Sequence, residues 1–212
     1  MIRSLTSVLA LLLVTACASS NQASAAPTAA TVAVQPGDLP STMHRCTISG
    51  DINTYLDSLK AKDPATYTST KNEWTDAQSK GATATFVGFY TDSDANCTNV
   101  ASTVANLSAA AYPLVVNFSV QFKDEASASN GYTNGQIFGI DRAMLKANGA
   151  PVVEGTKTGL GPNSIVLSTT ILSQAFYIAV WQNNAFMVIL GIINLDAATG
   201  RQVAAAETNR IK

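Results

Sequence analysis

Apolar positions at helical spacing begin the folded part of the chain. They are Ile52, Tyr55, Leu56 and Leu59, at i, i+3, i+4 and i+7, and they predict one buried helix face. This helix is expected to stop at Asp63, because the residue before Pro64 disfavours the helical region. A second helix is predicted from Ala65 to Gly81, so a helical pair precedes the first strand.

β-branched and aromatic residues then replace the helical pattern. Residues 82–90 predict a strand, and a polar loop that holds Cys97 is expected to follow it. Residues 99–110 fit either a short helix or a loop. Residues 114–122 alternate strictly, so the even-numbered positions are predicted to face the core and the odd-numbered ones to be mostly solvated.

The last third of the chain carries the densest apolar runs. Residues 164–167, 175–182 and 185–193 predict three strands. The last two are joined by Asn183-Asn184, and an Asn-rich pair between apolar runs is typical of a type I′ hairpin turn. Apolar residues occupy both faces of these strands, which predicts central strands that are covered on both sides.

Asp196 is expected to cap a final helix whose Val203 and Ile211 face the core. The predicted fold is α+β, with about five strands in a single twisted, mainly antiparallel sheet and helices packed on it. Strands 114–122 and 185–194 each lead into an Asp-capped helix. In this loose order the domain resembles small extracytoplasmic domains of the PsbP/Mog1-like kind.

The first residues of the chain have the parts of an export signal. Arg3 gives a positive start, residues 5–14 are mostly apolar, and small residues lead to Cys17. The run VTAC at 14–17 resembles the lipobox of bacterial lipoproteins, which implies cleavage after residue 16 and acylation of Cys17 with lipid such as palmitate. An ordinary secretory signal with a chance cysteine is the alternative. Either signal exports the chain, and the residue after the cysteine, an alanine, favours the outer membrane or cell surface.

Residues 17–41 are predicted to be the lipidated cysteine and a flexible tether. Their Ala, Ser, Thr and Pro residues and single charge, Asp38, cannot bury enough apolar surface to offset the entropy of ordering. A flexible chain of that length would hold the domain on the order of 25–30 Å from the membrane. The expected organisation is therefore a signal peptide at 1–16, a tether at 17–41 and one α+β domain at 42–212.

Two further cysteines, Cys46 and Cys97, remain after lipidation of Cys17. An even pair in an exported protein predicts a disulfide, with two free thiols as the alternative. The bridge would close a loop of roughly 50 residues and would stabilise the fold by roughly 4 kcal/mol on chain-entropy grounds.

The charge content excludes some classes of partner. Charged residues make up 13% of the chain and the formal net charge is −1, whereas about 25% is typical of soluble proteins. Without a basic stripe, a nucleic-acid partner is not expected. One histidine and one cysteine pair cannot supply the usual zinc ligands, so we expect neither a metal nor a cofactor.

Aromatic residues are the candidates for a binding surface. Trp74, Tyr177, Trp181 and Phe186 could line an apolar ligand pocket or a partner surface. Trp181 and Phe186 flank the predicted hairpin turn and could face each other across it. The alternative is that all four pack in the core.

Candidate catalytic groups are few. His44 is the sole histidine, so a nucleophile–histidine system would have to use it. Asp92 with Asp94, or Asp124 with Glu125, could act as paired acid and base, but a polar loop and a helix N-terminus also explain them.

The presence of an export signal and the absence of catalytic motifs in the sequence define the predicted function. We expect a membrane-anchored extracytoplasmic lipoprotein that acts as a non-catalytic binding or accessory module, held to the membrane by its anchor and contacting a protein partner or membrane complex. The alternatives are an envelope-acting hydrolase that uses carboxylates and a carrier of an apolar ligand.

Overall fold

A computed structural model describes residues 25–60, 62–102, 104–135, 137–140, 142–147 and 149–211. The predicted signal peptide and Cys17 lie outside these ranges. The helices are α1 (Ala29–Val32), α2 (Ile52–Lys60), α3 (Pro64–Ser79), α4 (Asp94–Ser102), α5 (Glu125–Asn134), α6 (Arg142–Ala147) and α7 (Ala197–Arg210). The strands are β1 (His44–Arg45), β2 (Gly50–Asp51), β3 (Ala82–Thr91), β4 (Leu114–Phe122), β5 (Val152–Glu154), β6 (Ser164–Ile171), β7 (Gln174–Asn183) and β8 (Phe186–Ile193).

The strands form one sheet in the order β1-β3-β4-β8-β7-β6-β5, with β2 also paired to β3. Every strand pairing is antiparallel, so the α+β prediction is confirmed. The predicted count of about five strands is wrong, because the described sheet has eight. The additional strands β1, β2 and β5 are two or three residues long, too short to show an alternating pattern.

Each face of the sheet buries its own apolar cluster. Helices α2, α3, α4, α5 and α6 cover the first face, where the predicted α2 residues Tyr55 and Leu59 pack with Phe89 of β3. Helix α7 and the segment 29–43 cover the second face, with Val203 and Ile211 pointing inward as predicted. The central strands β4, β7 and β8 therefore lie between two layers, as predicted for β7 and β8.

The solvated face predicted for β4 is wrong. Val115, Asn117 and Ser119 are all buried, because α7 and the segment 29–43 lie over them. Polar residues at alternate positions predicted a face exposed to water, but Asn117 is hydrogen-bonded inside the protein. Its Nδ2 donates to Oε1 of the buried Glu207 on α7 at 2.8 Å, and its Oδ1 accepts from Val34 N at 3.1 Å.

The predicted tether does not extend to residue 41. Residues 29–39 form α1 and a short 3₁₀ turn, and Val32 and Val34 are fully buried against the second face. The Arg210 guanidinium donates to the carbonyl oxygens of Val32 and Ala33 at 3.2 and 3.0 Å and forms an ion pair with Asp38 at 2.7 Å. Ordering of this Ala- and Val-rich segment is thus offset by burial against a sheet face that the sequence pattern had left open.

The predicted hairpin between β7 and β8 is present, but its turn is one residue later. Asn183 pairs with Phe186, so the two turn residues are Asn184 and Ala185, and Asn184 has the positive φ of 47°. The predicted cap of α7 is confirmed, because the Asp196 side chain accepts from Thr199 N at 2.7 Å.

Candidate functional site

A groove of about 510 Å³ lies beside the bond between Cys46 and Cys97. Around the two sulfur atoms its walls are polar: Arg45, Thr47, Lys62, Asp94, Thr98 and Ser102. We call it the disulfide groove. The disulfide and Ala101 supply its apolar surface, and the polar side chains supply directional contacts, an arrangement that suits a small ligand.

The predicted disulfide is confirmed, with the two Cα atoms 5.2 Å apart. Cys46 follows β1, and its N–H donates to the Phe89 carbonyl of β3 at 2.8 Å. Cys97 was expected in a loop but lies in α4. Helix α4 begins at Asp94. The Ser93 hydroxyl before it accepts from Asn96 N at 3.2 Å, as an N-cap residue does.

The charges at the disulfide groove favour a negative ligand. Arg45 and Lys62 line it, and its carboxylate, Asp94, is already paired with His44 at 3.1 Å. Both partners of that pair are well exposed, so it adds little to stability. The Arg45 guanidinium lies 5.9 Å from the ring centre of Phe86, which holds it near the groove while leaving its N–H groups to bind.

His44 has no partner in this groove that it could activate as a nucleophile. Its two side-chain contacts are with Asp94 and, at 3.9 Å, with the Sγ atom of Cys97, which is already bonded to Cys46. Acid–base chemistry of the nucleophile–histidine kind needs a hydroxyl or thiol in hydrogen-bond reach. Among the described residues, His44 thus contacts no hydroxyl or free thiol.

A second pair of grooves, of about 480 and 270 Å³, meets at Arg142 and Tyr132. Glu154 accepts from Arg142 at 3.0 Å and from Lys146 at 2.8 Å. Both bonds lower the pKa of the Glu154 carboxyl, and the bond from Lys146 has the larger effect. Arg142 also lies over the Tyr132 ring at 5.3 Å. Both cations are thus bonded to the same carboxylate, whereas Arg45 and Lys62 of the disulfide groove line it together.

The predicted carboxylate pairs serve local structure. Asp124 caps α5 by accepting from Ser127 N at 2.7 Å, and its hydrogen bonds to Ser127 lower its pKa. Asp92 accepts from Asn96 Nδ2 at 2.7 Å. Neither side chain is presented to a groove as a proton donor.

A different carboxyl, that of Glu73, has a raised pKa and lines a groove. Glu73 on α3 shares a groove of about 320 Å³ with Asp76, and burial raises the pKa of Glu73. Asp76 forms an ion pair with Lys80 at 2.6 Å. Glu73 therefore has the raised pKa of a general acid, and the Asp76 carboxyl beside it is engaged by Lys80.

The four predicted aromatic residues are not brought together. Trp74 is 8% exposed in the cluster of the first face, whereas Tyr177, Trp181 and Phe186 are at most 3% exposed in the cluster of the second. Tyr177 packs so closely on α7 that a Cβ added at Gly200 would lie 2.5 Å from its ring. As placed, these side chains form parts of two cores.

Sequence reasoning missed the two cations of the disulfide groove. Arg45 is adjacent to Cys46 and could have drawn attention. Lys62 lies beyond α2, and only the packing of that helix brings it to the same groove.

Within the described ranges, no helix is long and apolar enough to cross a bilayer. In the same part of the chain, no three of the His, Cys, Asp and Glu residues are grouped as metal ligands.

No known protein family and no curated protein matches this chain. Among solved structures, the chain is similar to the extracellular domain of PknH from Mycobacterium tuberculosis. The similarity covers 62% of this chain and 66% of that chain, just under two thirds of it, with a TM-score of 0.41 and 14% sequence identity. A likeness at this level carries no argument about what the chain binds.

Proposed function

We propose that this chain is an exported lipoprotein, acylated at Cys17, that binds a small anionic ligand in its disulfide groove without transforming it. The observation that carries the proposal is the bond between Cys46 and Cys97, which both lines the groove and holds it together. Disulfides of this kind persist in oxidising compartments, which agrees with the export signal at the start of the chain.

The ligand class follows from the charges around the groove. Arg45 and Lys62 line it, and its Asp94 carboxylate is paired with His44, so the groove presents more positive than negative charge. Thr47 adds a hydroxyl group that can donate to a carboxylate or phosphate oxygen.

The two alternative functions gain less support from the described residues. A hydrolase would have to use Glu73, whose pKa burial raises, together with Asp76 in the same groove, and Asp76 is engaged in an ion pair with Lys80. An apolar carrier would need its aromatic residues around a cavity, and those predicted for that role pack in two separate cores.

Mass spectrometry of the intact protein from native membranes tests the anchoring. We expect a chain that begins at Cys17 and carries acyl mass, and a Cys17→Ser variant that is released from the membrane fraction. A membrane-bound product that keeps residues 1–16 and lacks acyl mass would contradict the proposal.

Thermal unfolding in the presence of inorganic phosphate or citrate tests the groove. Binding to the native state raises the melting temperature by mass action. We expect the rise to be lost in Arg45→Gln and Lys62→Gln and kept in Lys157→Gln, which removes an exposed lysine outside the groove. An equal rise in all three variants would show that these anions do not bind in the groove.

A further inference from the structure

The turn between β6 and β7 presents apolar side chains to solvent. Leu172 is 95% exposed and Ile171 is 55% exposed, the two highest values among the exposed large apolar residues of the described chain. Ile171 ends β6, Leu172 and Ser173 form the turn, and β7 begins at Gln174. We call Ile171 and Leu172 the apolar tip.

The backbone of this turn does not explain its sequence. Leu172 and Ser173 have positive φ values of 48° and 70°. Two-residue turns with this geometry strongly prefer Asn and Gly, because other side chains are crowded in the left-handed region. Leu172 therefore benefits neither the turn nor the core clusters, and its apolar side chain is exposed to solvent.

The two chain segments that form and adjoin the apolar tip lack charge. No Asp, Glu, Lys, Arg or His occurs in residues 95–122 or 158–195. The Gln174 side chain donates to the Ala110 carbonyl at 2.9 Å, which joins the tip hairpin to the loop before β4. Tyr112 in that loop is half-buried and packs on the apolar cluster of the first face.

We propose that the apolar tip inserts into the surface of the lipid bilayer in which the Cys17 anchor lies. This inference rests on the proposed anchoring. Eleven residues separate Cys17 from the start of α1, a stretch that spans at most roughly 40 Å when fully extended. A domain held that close meets the bilayer at a high effective concentration, so a weak second contact is enough to orient it.

The size of the tip favours a bilayer over a protein partner. A stable protein interface needs about 800 Å² on each side, and two adjacent side chains on a hairpin turn supply only a small part of that area. Insertion into lipid needs no matching surface. The tip hairpin itself carries no charge, so none of its own residues has an ionised group that must lose its water when the tip enters the interface.

Tip insertion would bring the disulfide groove close to the membrane. The register joins Thr91, Leu114, Ile193 and Phe176 across the sheet at the end that carries the tip. His44 pairs with Thr91 at this same end, and α4 with Cys97 follows it. The groove would then open beside the bilayer surface and take its ligand there.

Fluorescence quenching by brominated lipids tests the insertion. The full chain carrying Leu172→Trp is reconstituted in phosphatidylcholine vesicles with brominated acyl chains, after its mass has been checked for acylation. Val153→Trp is the matched control, because Val153 is 45% exposed on β5 and pairs with the middle of β6. The native Trp74 and Trp181 are buried, and the unsubstituted protein gives their contribution.

We expect bromine to quench Leu172→Trp and to leave Val153→Trp unchanged. An acylated protein whose tip is not quenched would overturn tip insertion while the anchoring stands. If the protein is not acylated, the anchoring fails; quenching of the tip after addition to vesicles would still support insertion, and its absence would overturn it.

Two further readouts complete the test. Ile171→Trp serves as a second reporter if Leu172→Trp does not fold. The tip fluorescence could instead shift to the blue as protein concentration rises, without quenching by brominated lipid. That result would show that the tip docks on a second copy of the chain, and it would overturn insertion.

Discussion

The two faces of the sheet are closed by different chemistry. On the first face, five helices cover an apolar cluster, and the disulfide joins α4 to the segment before α2. On the second face, one helix and the segment 29–43 do the same work, and that layer contains buried polar groups. Asn117, Glu207 and the Val34 backbone are hydrogen-bonded to one another, and the Tyr90 hydroxyl donates to the Val34 carbonyl.

This difference sets what each face is sensitive to. The first face depends on one covalent bond, which acts largely by restricting the unfolded chain. The second face depends on partners that must all be present, since a buried polar group that loses its partner keeps the full cost of desolvation. We therefore expect the first face to respond to redox conditions and the second to respond to pH and to single substitutions.

Loss of the disulfide is the largest expected effect. Cys46 and Cys97 are 51 residues apart, and the double variant Cys46→Ala/Cys97→Ala should be less stable by about 4 kcal/mol. Urea denaturation with and without a reducing agent measures this difference. The reducing agent should not affect the double variant. A double variant as stable as the oxidised protein would show that the first face does not depend on the disulfide.

Removal of the Arg210 side chain should release the segment on the second face. Arg210 donates to two backbone carbonyls and pairs with Asp38. Because its side chain is 27% exposed, we expect Arg210→Ala to cost about 2 kcal/mol and not more. Hydrogen exchange should show faster exchange confined to residues 29–39. Arg201→Ala, at an exposed position of the same helix, should leave that exchange unchanged.

The second face should also lose stability as pH rises. Burial raises the pKa of Glu207 well above its usual range, although Arg210 and Asn117 oppose the shift and Asp38 adds to it. Tyr90 of β3 stays neutral there, since burial raises its pKa to about 12. Between the ordinary and the raised pKa of Glu207, the native state keeps a proton that the unfolded state has released.

The contribution of Glu207 to the free energy of unfolding is therefore fully present below the ordinary pKa of glutamate. Between that pKa and the raised pKa of Glu207 it falls by about 1.4 kcal/mol per pH unit. Glu207→Gln should lack this slope. The difference between the two proteins in urea denaturation from pH 4 to pH 8 isolates it, because carboxyls with lowered pKa values, such as Asp124 and Asp196, contribute equally to both. Parallel curves would show that Glu207 titrates normally.

Leu172→Asn should give the smallest change, because Leu172 belongs to neither core cluster. Asparagine tolerates a positive φ better than leucine does, so stability should rise by about 0.5–1 kcal/mol. Thr170→Asn, on the exposed part of β6, should not give this gain. A loss of stability in Leu172→Asn would indicate that the leucine side chain packs on the fold.

The sequence was sufficient where a periodic pattern was long. The bounds of β4 and the buried residues of α2 agree with prediction, because nine residues reveal a period that two or three do not. The segment 29–39 lacks any period, so its burial could not be foreseen. Its order comes from a sheet face and from Arg210, which is more than 170 positions away along the chain.

The candidate site was only half visible in the sequence. The cysteine count was enough to predict the Cys46–Cys97 bond. The groove beside it requires Arg45, Lys62 and Asp94 to converge from three elements, and such convergence depends on how α2 and α4 pack on β3. Aromatic composition was a poor guide, since Tyr177 and Trp181 satisfy core packing instead.

The lack of charge in the tip hairpin has a consequence for the effect of ionic strength. Contacts of an apolar tip flanked by residues 95–122 and 158–195 contain no charge for salt to screen. Binding of an anion by Arg45 and Lys62 at exposed positions weakens as salt rises, because the screening length shrinks to about 8 Å at physiological ionic strength. If the protein binds an anion and lipid as proposed, a rise in salt concentration should release the anion while the tip stays in the bilayer.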